Sequence, residues 1–284
     1  MKTIAAKLFA FVLFGFLVSP ALFATDYRYS KIDVPNSAAT RVRGINARGD
    51  IVGIYADEIG SHSFLRRGGV YTEVAFPGPF FTAIKSINAR GDMAGNLQDG
   101  PDGKVHGFVF HEGVFSQIDY PGAMNTQVRG INNAGDVTGT YENAAGQGAG
   151  FILKDGIYHT IRVPASDFTD VFQAQDNGNV MVGDVVLSSD GSQHGFLRLG
   201  PKNFQILDFP GTTSGTVVRW INQRGDMVGA SGADGFILRD GVYTVIDFPG
   251  AVNTLGLAVN DDGVIVGLFL DRKGMLHGFK ATPQ

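Results

Sequence analysis

Cysteine is absent from all 284 residues. Its absence excludes a disulfide framework, a lipid-modified cysteine and thiol chemistry, so stability has to come from core burial. Tryptophan occurs once, at position 220. Basic charge is in deficit, with 23 Lys and Arg against 27 Asp and Glu. A nucleic-acid partner normally leaves a net basic footprint, and none is expected here. Long apolar runs are also missing apart from Leu8 to Val18, behind Lys2 and Lys7. Eleven apolar residues suit a secretory signal and are short for a membrane span. Residues 1–24 are therefore expected to be a signal peptide cleaved after Ala24, with Ser19-Pro20-Ala21 as a competing site. Residues 25–284 form one secreted domain, extracellular or periplasmic, with no stable membrane span. Nucleophile-elbow, zinc-helix and phosphate-loop motifs are lacking. "DGPDGKVHG" and "SSDGSQHG" lack the full twelve-residue calcium pattern. No metal or cofactor is expected.

What is present is one sentence repeated six times. I-D-x-P appears as "IDVP", "VAFP", "IDYP", "IRVP", "LDFP" and "IDFP". A G-I-N-x-x-G-D turn follows, its amide position held by Asn46, Asn88, Asn132, Gln175, Asn222 and Asn260. H-G-F or a variant completes each unit at Phe64, Phe108, Phe151, Phe196, Phe236 and Phe279. Each copy holds four short runs with period-two alternation, separated by Asn-Gly and Asp-Gly turns that favour tight hairpins. Four antiparallel strands per unit of about 43 residues is the pattern of a propeller blade. The mature chain opens on the fourth strand of a unit and closes on the third, so the N-terminal strand can complete the last blade. The expectation is an all-β, six-bladed β-propeller over 25–284, monomeric, its ring closed by that strand.

These motifs resemble the HAF-repeat family of bacterial extracellular repeat proteins, which combine a His-small-Phe strand with a G-I-N-x-x-G-x-V-G turn and strand. The resemblance covers essentially the whole mature chain. It implies secretion and a repeat β fold, and brings no reaction or catalytic residues. The family's Ala is replaced by Ser63, Gly107, Gly150, Gly195, Gly235 and Gly278, a small-for-small change expected to leave the fold intact.

A residue present in most copies is there to build the copy. His62, His106, His194 and His277 would lie on third strands roughly 17 Å apart by strand spacing, too far to share a metal ion. A hydrogen bond to neighbouring backbone is expected for each. Asp50, Asp92, Asp136 and Asp226 follow a turn glycine and are read as satisfying local backbone. Arg43, Lys85, Arg129 and Arg219 share one place on the innermost strand, where bare cations would repel by about 2 kcal/mol per neighbouring pair. Asp33, Asp119 and Asp208 are their expected partners, in preference to an anion-binding ring, with Lys85 the least accounted for.

Deviations between copies mark the candidate ligand-binding residues. The second copy carries Phe80 and Phe81, the fourth Asp167, Phe168, Asp170 and Phe172, and the fifth Trp220. Aromatic faces beside charged groups can stack on sugar rings, and packing between blades competes with that reading. The leading expectation is a non-enzymatic scaffold binding a polysaccharide or surface protein at one mouth of the ring. The rivals are a carbohydrate-active hydrolase or lyase using Asp167 and Asp170, with the basic residues holding an acidic sugar, and a structural envelope or matrix protein.

Overall fold

The computed structural model describes residues 27–284 apart from 77, 79, 80 and 102, so the expected signal segment and Phe80 lie outside the described residues. Every element among the described residues is a strand, and none of them forms a helix able to cross a membrane. The chain begins with β1 (Tyr27–Ile32). The first copy gives β2 (Ala39–Ile45), β3 (Ile51–Ala56), β4 (Ser61–Arg67) and β5 (Val70–Glu73). The second gives β6 (Phe81–Ile87), β7 (Met93–Gln98), β8 (Val105–His111) and β9 (Val114–Ile118). The third gives β10 (Asn125–Ile131), β11 (Val137–Glu142), β12 (Gly148–Lys154) and β13 (Ile157–Ile161). The fourth gives β14 (Ser166–Ala174), β15 (Val180–Leu187), β16 (Gln193–Leu199) and β17 (Phe204–Leu207). The fifth gives β18 (Thr216–Ile221), β19 (Met227–Ser231), β20 (Asp234–Arg239) and β21 (Val242–Ile246), and the chain ends with β22 (Asn253–Val259), β23 (Ile265–Leu270) and β24 (Leu276–Pro283). The first strands touch one another in a closed cycle, β2 to β6 to β10 to β14 to β18 to β22 and back to β2. β1 pairs antiparallel with β24.

The G-I-N-x-x-G-D turn explains both the hairpin and its attachment to the next copy. Asn46 Oδ1 accepts the backbone N–H groups of Arg48 and Asp50, each at 3.0 Å, while Gly49 turns the chain at φ 78°. Asn46 Nδ2 donates to the Asp50 carboxylate and to the Asn88 carbonyl, both at 3.1 Å. The same reach runs from Asn88 to Asn132, Asn132 to Gln175, Gln175 to Asn222, Asn222 to Asn260 and Asn260 back to Asn46, at 2.8–3.3 Å. The repeated aspartates collect more than backbone. Arg67 and Arg48 reach Asp50, Arg90 and His111 reach Asp92, Lys154 reaches Asp136 and Arg239 reaches Asp226. Burial alone pushes Asp50 up; hydrogen bonds from Arg67, Asn46 and Arg48 overcome it and hold the carboxyl below its usual range.

The core repeats as a glycine–phenylalanine register pair. Gly139 of β11 faces Phe151 of β12, beside a bulge in β10 between Val128 and Gly130. A Cβ on Gly139 would stand 2.1 Å from the Gln127 carbonyl oxygen and 3.0 Å from the Phe151 ring. The glycine thus lets the bulged strand come close and leaves room for the ring. Equivalent pairs bury Phe64, Phe108, Phe196, Phe236 and Phe279.

The glycine before the phenylalanine is closely packed against the next copy: a Cβ on Gly107 would lie 2.5 Å from Val128 Cγ2. Similar clashes await at Gly150 with Val171, Gly195 with Val218 and Gly278 with Val42. Gly107→Ala is expected to cost about 1–3 kcal/mol by overpacking, measured by urea unfolding. One expectation needs correction: the sheets do not separate into six. There are four of four strands and one of eight, in which the fifth and sixth sets join through a single parallel bridge, Asp234 to Thr254. Gly256 stands there where the other copies place Val or Ile, so Gly235 meets the Thr254 and Gly256 backbone directly and the two sets close up.

Candidate functional site

The six equivalent positions two residues before the isoleucine or its substitute are Arg43, Lys85, Arg129, Phe172, Arg219 and Leu257. All six, with Trp220, line one cavity of about 50 Å³ at the centre of the first-strand cycle. Strand alternation sends these side chains inward while their neighbours pack against the sheets. Trp220 also lines a second cavity, of about 40 Å³, bounded by the Asn turns. At 7% exposure its ring closes the cation-lined cavity at that end, so packing and not open aromatic binding describes it.

The expected ion pairs do not form. Asp33 is taken by Lys31 and His277, Asp119 by His106 and Gln117, and Asp208 by His194. These contacts also correct the reading of the repeated histidines, which bind carboxylates at 2.6–3.2 Å on their own sheets instead of backbone. Asp and His on adjacent outer strands are close neighbours, whereas the innermost strand lies two strands away.

Charge in the cavity is unevenly matched. Arg129 Nη2 lies 2.6 Å from Asp170. Arg129 and Arg219 both sit over the Phe172 ring, their guanidinium carbons 5.2 and 4.8 Å from its centroid. Arg43, Lys85 and Arg219 have no ion pair among the described residues, and the Nε of Arg43 and of Arg219 is buried without a hydrogen-bond partner. Burial, reinforced by Arg43, Arg129, Arg219 and Arg41, pushes the Lys85 ammonium down to about 7. Burial and the neighbouring guanidiniums lower Arg43 to about 10.

The structure separates the acids that the sequence paired. Asp167 is exposed and bonds Ser188, while Asp170 is buried at 3% exposure. Asp170 instead faces Asp184, its register partner on β15, a residue missed at the sequence level. Position 184 follows the strand glycine, where the other copies have Ile54, Asn96, Thr140, Ala230 and Leu268, so it is the one acid there. Burial, then the Asp170 charge, pushes the Asp184 carboxyl up to about 6 against a hydrogen bond from Gln193 at 2.6 Å. A surface groove of about 220 Å³ between the third and fourth sets carries Phe168 and is lined in part by Arg129, which also lines the cavity. Phe81 is elsewhere, half-buried in a groove of about 500 Å³ with His62, Glu73 and Phe76. No group of three metal-ligating side chains gathers among the described residues.

Lys85→Met makes the cost of this arrangement measurable. The folded-state value near 7 lies below the ordinary 10.5, so the native state holds fewer protons than the unfolded chain between them. The penalty is complete below pH 7 and fades as pH rises toward 10.5. The substitution is expected to raise stability by on the order of 1 kcal/mol at pH 6 and by much less near pH 10, read from urea midpoints.

Among solved structures, the chain is similar to a gluconolactonase, XC5397 from Xanthomonas campestris, with TM-score 0.55 and 12% identity over 91% of this chain and 90% of that one. It is also similar to a catalytically inactive variant of virginiamycin B lyase from Staphylococcus aureus with quinupristin, with TM-score 0.51 and 12% identity over 91% and 100%. A third is the β-propeller domain of the Trilobed protease from Pyrococcus furiosus, with TM-score 0.50 and 9% identity over 85% and 95%. The fold is a β-propeller. No family model matches the sequence, and no curated protein matches it. The likeness overturns the expectation of a non-enzymatic scaffold. That expectation rested on architecture, and the same architecture is found in a gluconolactonase and a lyase.

Proposed function

We propose that the chain is a carbohydrate-active hydrolase or lyase whose reacting centre is the Asp170–Asp184 pair beside the central cavity. The observation that carries this reading is the opposed environment of two register-paired carboxyls. Asp170 is matched by the Arg129 guanidinium, while Asp184 is held up to about 6 by burial and by Asp170. A carboxyl raised in this way beside an ion-paired carboxylate is placed to act as the acid. Asp184 donates its proton to the leaving oxygen as the bond breaks, Asp170 faces the positive charge that develops, and water adds to that carbon and returns a proton to the Asp184 carboxylate. Phe168, in the groove that reaches Arg129, offers an apolar face to a sugar ring.

The scaffold of this enzyme is a six-bladed ring of the HAF-repeat type, exported by residues 1–24 and closed by β1. The closed cycle of first strands, the amide relay returning from Asn260 to Asn46 and the β1–β24 pairing support that ring. The test is turnover by residues 25–284 on aldonolactones and on neutral and uronic-acid glycosides, followed as acid release, reducing ends or unsaturated product. Activity on one class, falling as pH rises through 6, is expected. No turnover on any class contradicts the reading.

A further inference from the structure

Blade order sets unlike charges behind the two sides of the cavity. The acids Asp170 and Asp184 belong to the fourth copy, and Arg129 and Arg219 come from the copies on either side of it. Arg43 belongs to the first copy, across the cycle from the fourth, and Lys85 to the second. Asp184 and Asp170 act favourably on Arg219. The charges felt by Arg43 and Lys85 are the other cations, Arg41, Arg129 and Arg219, together with each other at Lys85. The Nε of Arg43, like that of Arg219, is buried with no hydrogen-bond partner among the described residues. A cluster that costs stability and leaves a donor unused is the mark of a site kept for a ligand.

We propose that Arg43 and Lys85 form an oxyanion subsite that takes the carboxylate of an acidic sugar. A planar carboxylate can span the two terminal amino groups of a guanidinium and share its second oxygen with an ammonium. A cavity of about 50 Å³ admits such a group and little more. The proposal deepens the enzymatic reading by naming the charge on its substrate, and it rests on that reading for the sugar but not for the anion.

The experiment is calorimetric titration of the folded chain, residues 25–284, with glucuronate, acetate, inorganic phosphate and sulfate at constant ionic strength in chloride. Wild type, Arg43→Met, Lys85→Met and Asp184→Asn are compared. Glucuronate and acetate are expected to bind wild type at least tenfold more tightly than phosphate or sulfate, and at least tenfold more tightly at pH 6 than at pH 9. Arg43→Met and Lys85→Met are expected to weaken that binding at least tenfold, with the pH dependence lost in Lys85→Met. Both should remain folded, since removing a partly buried cation that has no ion pair among the described residues relieves the native state. Binding unaffected by either substitution, or tighter for phosphate than for carboxylates, overturns the subsite. Carboxylate binding that survives in Asp184→Asn while wild type turns over no substrate upholds the subsite and refutes the enzyme. Turnover preserved in both Met variants refutes the subsite and leaves the enzyme standing.

Discussion

Asp184→Asn is expected to reduce kcat/KM by about 10²–10⁴-fold, the range typical of a lost general acid, while leaving the thermal midpoint unchanged or higher. The amide keeps an oxygen for Gln193 and the volume of the carboxyl, but it has no proton to give. The sign of the stability change follows from the raised value near 6. Above pH 6 the folded state carries the cost of a buried second carboxylate beside Asp170, and between the ordinary 3.8 and 6 that cost is progressively relieved by protonation. Asparagine removes the cost altogether at neutral pH. Initial rates and thermal unfolding on one preparation check both parts. A variant that loses activity by unfolding contradicts the assignment, as does one that retains full activity.

Phe151→Ala is expected to destabilise the fold by about 3–5 kcal/mol, among the largest single costs available in this chain. The ring is fully buried and packs edge-on to Tyr158 at 5.6 Å and tilted to Tyr120 at 5.9 Å between centroids. Its register partner is Gly139, which has no side chain to move into the hole. Approach of the strands is already set by the Gln127 carbonyl, so the backbone has little freedom to collapse. Urea unfolding should show a lower midpoint with an unchanged slope, because the surface exposed on unfolding is the same. A loss below about 1 kcal/mol contradicts this account of the core.

The repeat carried the fold because each landmark has one local job that recurs. Asn turns the hairpin, Gly admits the bulge, and Phe fills the space above it. The four cations were visible for the same reason, and the structure gathers them as their shared position implies. Their partners were not visible. Asp33, Asp119 and Asp208 stand near the arginines along the chain, but the fold takes them to third-strand histidines. The acid pair failed in a related way. Asp167 and Asp170 are neighbours in sequence and part in space, whereas Asp170 and Asp184 are apart in sequence and meet across a register. Cross-strand partners are set by hairpin geometry, and a comparison of the six second strands would have shown Asp184 as the lone acid. The merged eight-stranded sheet had a sequence signal too, in Gly256 at a position held elsewhere by Val or Ile.

The central claim is that an acid poised near neutrality stands behind the cavity wall, across a register from the Asp170 that pairs with Arg129. Carbon-13 NMR of the aspartate carboxyls as a function of pH, with the Asp184 resonance assigned by its loss in Asp184→Asn, tests it without any substrate. The account predicts a midpoint near 6 for Asp184. A midpoint near the ordinary 3.8 would contradict it, leaving two ionised carboxylates, no proton donor and no basis for the proposed chemistry.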